Sequence, residues 1–192
     1  DLLLRVHWQP EAGVLTRTSR DGAPGPSAGL LEDYAGLLCG LASLARVTGN
    51  DRWARAGRGV AEQLADRFVV TTEAAAATAT AVDGVAVLAD VAPRDADPRL
   101  AAIDPPARPG RFDEQGSPSG RALAAIGSLW LAGDGDLGGS GDLAGPGAGP
   151  GGGLAPATLA QVALHGLADL PADMARFAGG ALVAAETLLS GG

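Results

Sequence analysis

The chain has 192 residues, 46% of them hydrophobic and only 4% aromatic, and its 14 arginines, without any lysine, face 22 acids for a net charge of −8. That length allows one good core, as a single domain or as part of a larger one. An acidic chain without a basic patch is poorly matched to nucleic acid or to an anionic membrane surface, both of which are bound through cations.

The apolar content is mainly alanine, leucine and glycine, which suits closely packed helices better than a β-sandwich. No apolar run approaches the ~20 residues of a membrane span. No signal peptide is apparent, so a cytoplasmic location is expected. Cys39 is the only cysteine, which excludes an internal disulfide and a CxxC redox pair.

Residues 1–29 read as irregular. Leu2, Leu3 and Leu4 suit the end of a helix, Gly13 to Arg17 a short extended piece, and Asp21-Gly22 a turn. Leu30 to Thr48 is the clearest helix, with Leu30, Tyr34, Leu37, Leu41 and Leu44 on one face. Gly49-Asn50-Asp51 ends it, and Asp51 is a suitable cap for a second helix from Arg52 to Phe68. The apolar face of that helix is Trp53, Gly57, Val60, Leu64 and Phe68. So short a turn forces the two helices into an antiparallel hairpin.

Residues 69–116 read as a long irregular connection, of the kind that often lines sites. Ala74 to Ala81 is low in complexity, Val85 to Leu88 suits a strand, and Pro93, Pro98, Pro105, Pro106 and Pro109 oppose regular structure. Ser117 and Pro118 then supply a cap and a first helical residue for a helix reaching about Ala132. Residues 133–153 are so rich in glycine that they read as a flexible loop. Pro156 opens a further helix with Leu159, Val162, Gly166 and Leu170 on one side. Pro171 opens the last, with Met174, Phe177, Ala181 and Leu188 inward. The whole is expected to be all-α, built of paired helices, with Trp53, Trp130 and Phe177 as packing residues.

The first helix begins with two adjacent acids whose environments should differ. Glu32 points away from the apolar face and favours the helix N-terminus by roughly 0.3–1 kcal/mol. Asp33 lies at the shoulder of the apolar face, where an unpaired charge is costly. It therefore needs backbone donors, an arginine or a ligand.

The stretch GLLEDYAGLLCGLASLARVTGNDRWARAGRGVAEQLADRF resembles the C-terminal helical region of the thioredoxin-domain-containing proteins related to the spermatogenesis-associated thioredoxin-like protein. SRDG at 19–22, EQGSPSG at 114–120 and RFAGGALVAAETLLSG at 176–191 resemble further pieces of that family, in the same order, so that roughly half the chain is covered. The family joins a thioredoxin-like domain to an (α/α) toroid similar to the six-hairpin glycosidases and sugar epimerases. The resemblance implies that residues 1–192 form one partial toroid, with the thioredoxin-like domain elsewhere in the full-length protein. Arg121 departs from the pattern, since a polar or aromatic residue usually follows Pro-Ser-Gly.

The function implied is recognition of a carbohydrate-like small molecule, with glycosidase- or epimerase-type acid/base chemistry as its extension. Such chemistry uses two carboxylates in different environments; Asp33 and Glu114 are the candidates. Tyr34, Asp113, Ser117 and Ser119 are the candidate substrate contacts: Tyr34 and Asp113 as neighbours of that pair at the toroid mouth, Ser117 and Ser119 because free amides at a helix start can hold an anion or a sugar hydroxyl. The plainer readings stand beside these: Asp33 as a paired structural acid, Ser117 as a cap, Tyr34 as core. The rival class is a non-catalytic helical module that binds protein, a thioredoxin-like domain included. No metal or cofactor is expected.

Other signals carry less. GPSAG at 25–29 fits G-x-S-x-G but lacks the preceding buried strand of a nucleophile elbow. GDGDLG at 133–138 opens no helix, and Asp134, Asp136 and Asp142 do not complete an EF-hand. His165 reads as solvated, His7 as able to reach a site but without anything to orient it, and Cys39 as a small packing residue.

Overall fold

The computed structural model describes residues 1–72, 85–101, 112, 117–133 and 154–190. Glu114, Asp113, the low-complexity stretch Ala74 to Ala81 and the GDGDLG segment beyond Gly133 lie outside the described residues. The protein is mostly helical with a few short strands. No helix among the described residues is long and apolar enough to cross a membrane.

Two helical hairpins form the frame. The first pairs α1 (Leu31–Thr48) with α2 (Asp51–Phe68). Gly49 ends α1 at φ +63°, its N–H bonded to the Ala45 carbonyl at 2.9 Å, a left-handed cap that glycine adopts without steric cost. The cap of α2 is Asn50 and not Asp51, because the Asn50 side chain accepts from the Arg52 N–H at 3.1 Å. Asp51 is instead the first helical residue. The second hairpin pairs α4 (Gly120–Ala132) with α5 (Pro156–Leu164): Arg121, at the start of α4, reaches the last carbonyls of α5.

The hairpins are joined through α1 and α4, which run parallel and close. A Cβ built on Gly120 would meet the Glu32 backbone N at 3.0 Å. One built on Gly127, two helical turns on, would meet the Leu38 Cγ at 2.9 Å and the Cys39 backbone N at 3.0 Å. Cys39 Sγ donates to the Leu123 carbonyl at 3.0 Å between the same two helices. The starts of α1 and α4 therefore lie side by side. This closeness is the use to which the small-residue composition is put.

Tyr34, Phe68, Leu31, Leu38, Leu64, Leu88 and Leu159 are fully buried. Trp8, Tyr34 and Phe68 stack edge to face, with centroids 6.2 and 5.1 Å apart. Tyr34 also ties the N-terminal segment down: its hydroxyl accepts from the Leu15 N–H at 2.8 Å and donates to the Gly13 carbonyl at 3.2 Å. That segment contains a wide turn at Leu3–His7, the pair β1 (Trp8–Gln9) and β2 (Val14–Leu15), and the hairpin β3 (Ser19–Arg20) and β4 (Ala23–Pro24). Asp21 and Gly22 turn that hairpin at φ +52° and +79°, as its twist requires.

After α2 the chain continues directly into β5 (Val69–Thr72), paired antiparallel with β6 (Val85–Leu88). The expected strand at 85–88 is thus present, and its partner arises from the start of the supposed irregular connection. Pro93–Asp95 form a single 3₁₀ turn and α3 (Pro98–Ala101) is one helical turn, so the prolines initiate short turns here. Two reciprocal ion pairs fix this stretch to α2: buried Arg67 to Asp95, and exposed Arg94 to Asp66 at 2.7 Å. The Asp90 carbonyl accepts the free Leu31 N–H at the start of α1 at 3.0 Å.

Several expectations are corrected. Ser119, not Ser117, caps α4, accepting from the Ala122 N–H at 3.2 Å, and Pro118 lies before the helix. The helix from Pro156 stops at Leu164, where His165 turns extended, so Gly166 and Leu170 lie beyond it. The last helix, α6, spans Gly179–Ser190 and does not begin at Pro171; 3₁₀ turns at Leu167–Asp169 and Ala175–Phe177 precede it, because Ala178 leaves the helical region. Leu44 is 42% and Trp130 38% exposed, so neither is core; Trp130 carries the Arg46 guanidinium 5.7 Å above its ring.

Arg121 is the residue whose role no sequence pattern indicated. It is 3% exposed, its Nε donates to the Ala163 carbonyl at 2.9 Å, and its guanidinium lies 3.9 Å from the centre of the Phe112 ring. Desolvation pulls its pKa down to about 10, with the Asp90 charge opposing. It thus remains a cation at neutral pH, placed where the carbonyl end of α5 favours positive charge.

Candidate functional site

The start of α1 holds the charge cluster from which a site can be built. Asp33 at the third helical position accepts the Leu30 N–H on Oδ2 at 2.8 Å, the reciprocal half of a capping box. The same oxygen receives the Arg17 Nε at 3.1 Å, while a terminal nitrogen of Arg17 reaches Glu32 Oε1 at 3.1 Å. One arginine therefore bridges both acids. The Asp33 side chain is 27% exposed, at the shoulder where the helical spacing put it. Glu32 does not point away: Arg17, on the chain just after β2, draws it to the same side.

These groups border a cleft of about 500 Å³ along the outer face of α1, within the size range of small-ligand sites. Its floor follows α1 from Glu32 through Gly36, Leu37, Gly40 and Leu41 to Leu44, about 18 Å at 1.5 Å per residue. The opposite wall is Leu2, Leu3 and Leu4 of the wide N-terminal turn, with Trp53 of α2 at the apolar end. Arg52 lies 3.8 Å over the Trp53 ring and pairs with Asp1. His7, Thr16, Arg17, Glu32 and Asp33 make the other end polar. The cleft is amphipathic along its length.

Of the sequence candidates, Asp33 lines this cleft. Tyr34 does not: it is 0% exposed and both functions of its hydroxyl are taken, so it presents no surface to a ligand. Burial also raises its pKa, against the lowering effect of the Leu15 hydrogen bond. Ser119 is occupied as the α4 cap, half-buried, beside Glu32 across the Gly120 contact; Ser117 is exposed. Neither is part of the cleft lining. Glu114 and Asp113 lie outside the described residues.

The cleft adds His7, Arg17 and Trp53 to the list. The signal for His7 was the short β-pair around the turn at Pro10–Gly13, which returns Thr16 to His7 and so orients the ring. Arg17 follows in the same strand direction. Among the described residues, no group of three or more His, Cys, Asp and Glu is arranged to hold a metal ion.

Cys39 is outside the cleft. Burial pushes its thiol up to about 11, and it is used as a donor to Leu123. Its thiolate fraction at pH 8 is therefore small. Iodoacetamide is expected to label Cys39 at least tenfold more slowly than free cysteine in the native protein, and at an ordinary rate in denaturant. Native labelling at the free rate would show the thiol to be open and ionised.

No protein-family model, curated protein or solved structure matches the chain.

Proposed function

We propose that the chain is part of an (α/α) toroid, of the kind joined to thioredoxin-like domains, and that it recognises a carbohydrate-like small molecule at the α1 cleft. The observation that carries this reading is the amphipathic lining: His7, Thr16, Arg17, Glu32 and Asp33 at one end, leucines, glycines and Trp53 along the rest, with Asp1 paired to Arg52 beside Trp53. A sugar offers hydroxyls at its edges and C–H groups on its faces, and both kinds of surface are matched. Charge-assisted hydrogen bonds from hydroxyls to the acids provide the orientation.

The parallel placement of α1 and α4 supports the toroid. In a ring of antiparallel hairpins every second helix runs the same way and shares a rim with the next, as the starts of α1 and α4 do. Recognition comes before catalysis in this reading, because Asp33 Oδ2 already holds two donors. Glycosidase- or epimerase-type turnover, with Asp33 and Glu114 as the acid/base pair, is its extension.

The test is a calorimetric titration of neutral sugars into wild type and Asp33→Asn. Asparagine still accepts the Leu30 N–H, so the fold should lose less than about 1 kcal/mol. Sugar binding should weaken at least tenfold, the scale of a hydrogen bond to a charged group. Unfolding of Asp33→Asn would assign the acid to structure alone. A second reading, a helical module that binds protein, is favoured by the exposed Leu44 at the apolar end and by Val47 and Trp130, exposed outside the cleft lining. Wild type that binds no sugar yet retains a thioredoxin-like domain would select it.

A further inference from the structure

The geometry points to His7 as the hydrogen-bond acceptor that reads a hydroxyl of the ligand in the α1 cleft; this rests on the carbohydrate reading and names a contact within it. The ring's Nδ1 lies 2.7 Å from the Thr16 carbonyl oxygen. A carbonyl oxygen only accepts, so Nδ1 carries the hydrogen. A neutral imidazole has one N–H, and its other nitrogen is then an acceptor. In the neutral ring Nε2 is that acceptor, and no described residue hydrogen-bonds to it.

The holding of His7 is built at both ends. The Thr16 N–H donates to the His7 carbonyl at 3.0 Å and the Thr16 hydroxyl to the same oxygen at 3.3 Å. The two residues are thus fastened across the β1–β2 pair by three hydrogen bonds, and both line the cleft. Arg17, Glu32 and Asp33 are the charged groups at the same end of the cleft, and Asp1, which also lines it, pairs with Arg52 at the other end. Glu32 and Asp33 spend part of their acceptor capacity on Arg17. In its neutral form His7 adds an uncharged acceptor beside two anionic ones. Three acceptors in one polar end select a neutral ligand with several O–H donors, such as a polyol or sugar, over a carboxylate or phosphate.

Two measurements on the 192-residue chain test this. Long-range ¹H–¹⁵N NMR above neutral pH should find His7 with its proton on Nδ1, the reverse of the tautomer free histidine prefers. A proton on Nε2 overturns the inference whatever the ligand. The second is titration of a monosaccharide panel, with glycerol as the plain polyol, into His7→Asn and His7→Gln. Asparagine can keep a donor on Thr16 but removes the distal acceptor; glutamine restores a polar group at the distal position.

His7→Asn should bind the sugars about three- to tenfold more weakly with an unchanged melting temperature, and His7→Gln should recover part of the loss. Equal binding by wild type and His7→Asn overturns the inference and leaves the carbohydrate reading standing. Wild type that binds no sugar overturns the carbohydrate reading and this inference with it, whichever nitrogen carries the proton.

Discussion

Asp95→Ala should lower the stability of the protein by about 3 kcal/mol, the low end for breaking a buried ion pair by removing one partner. The low end applies because the Asp95 side chain is 30% exposed, while that of Arg67 is 4% exposed. Alanine would leave the Arg67 guanidinium buried against the Tyr34 ring, 5.9 Å from its centre, with its Nε already unpartnered. The removal matters more than the pair's own net worth, since desolvation offsets much of the attraction. The double variant Arg67→Leu/Asp95→Ala should therefore recover most of the loss.

The reciprocal pair provides the control. Arg94 and Asp66 are both about half exposed, so Arg94→Ala should cost less than about 1 kcal/mol. At the usual scaling for this chain length, Asp95→Ala corresponds to about 6–12 °C in melting temperature. Equal, small losses at Asp95 and Arg94 would show that Arg67 reaches water when its partner is removed.

The same stretch marks where the sequence was legible and where it was not. The α1–α2 hairpin was readable because its apolar spacing and its Gly-Asn turn agree, and each alone implies the same structure. Asp33 was readable to the level of its need for a partner. The partner, Arg17, was not, because it arrives through the Tyr34 hydroxyl anchoring β2, a contact remote in sequence. The cap of α4 was misplaced by two residues because Ser117 and Ser119 flank the same proline and only geometry separates them. Arg121 stood out as a departure from the family pattern. Its use as the fastener of α5 follows from the packing of the second hairpin, which local spacing does not encode.

Glycines in α1 and α4 look alike in the sequence and should respond to substitution with opposite signs. Gly127→Ala is expected to destabilise the protein by about 1–3 kcal/mol through overpacking. A Cβ there meets the Leu38 Cγ at 2.9 Å and the Cys39 backbone N at 3.0 Å, and a helix backbone cannot step aside without parting α1 from α4. The gain in helix propensity, near 1 kcal/mol, offsets only part of this.

At Gly36 and Gly40 a Cβ meets nothing within 4 Å. Alanine there should stabilise the protein by about 0.5–1 kcal/mol, since glycine in a helix interior is costly. Both positions lie on the floor of the cleft. Gly40→Leu should accordingly keep or raise the melting temperature while filling the space along α1, and so abolish the proposed sugar binding. Thermal melts and sugar titrations on the four variants separate these effects. A helix interior that tolerates leucine at Gly40, with binding unchanged, would mean the ligand does not lie along α1. A Gly127→Ala protein as stable as wild type would mean the two helices are not held as close as their backbones stand.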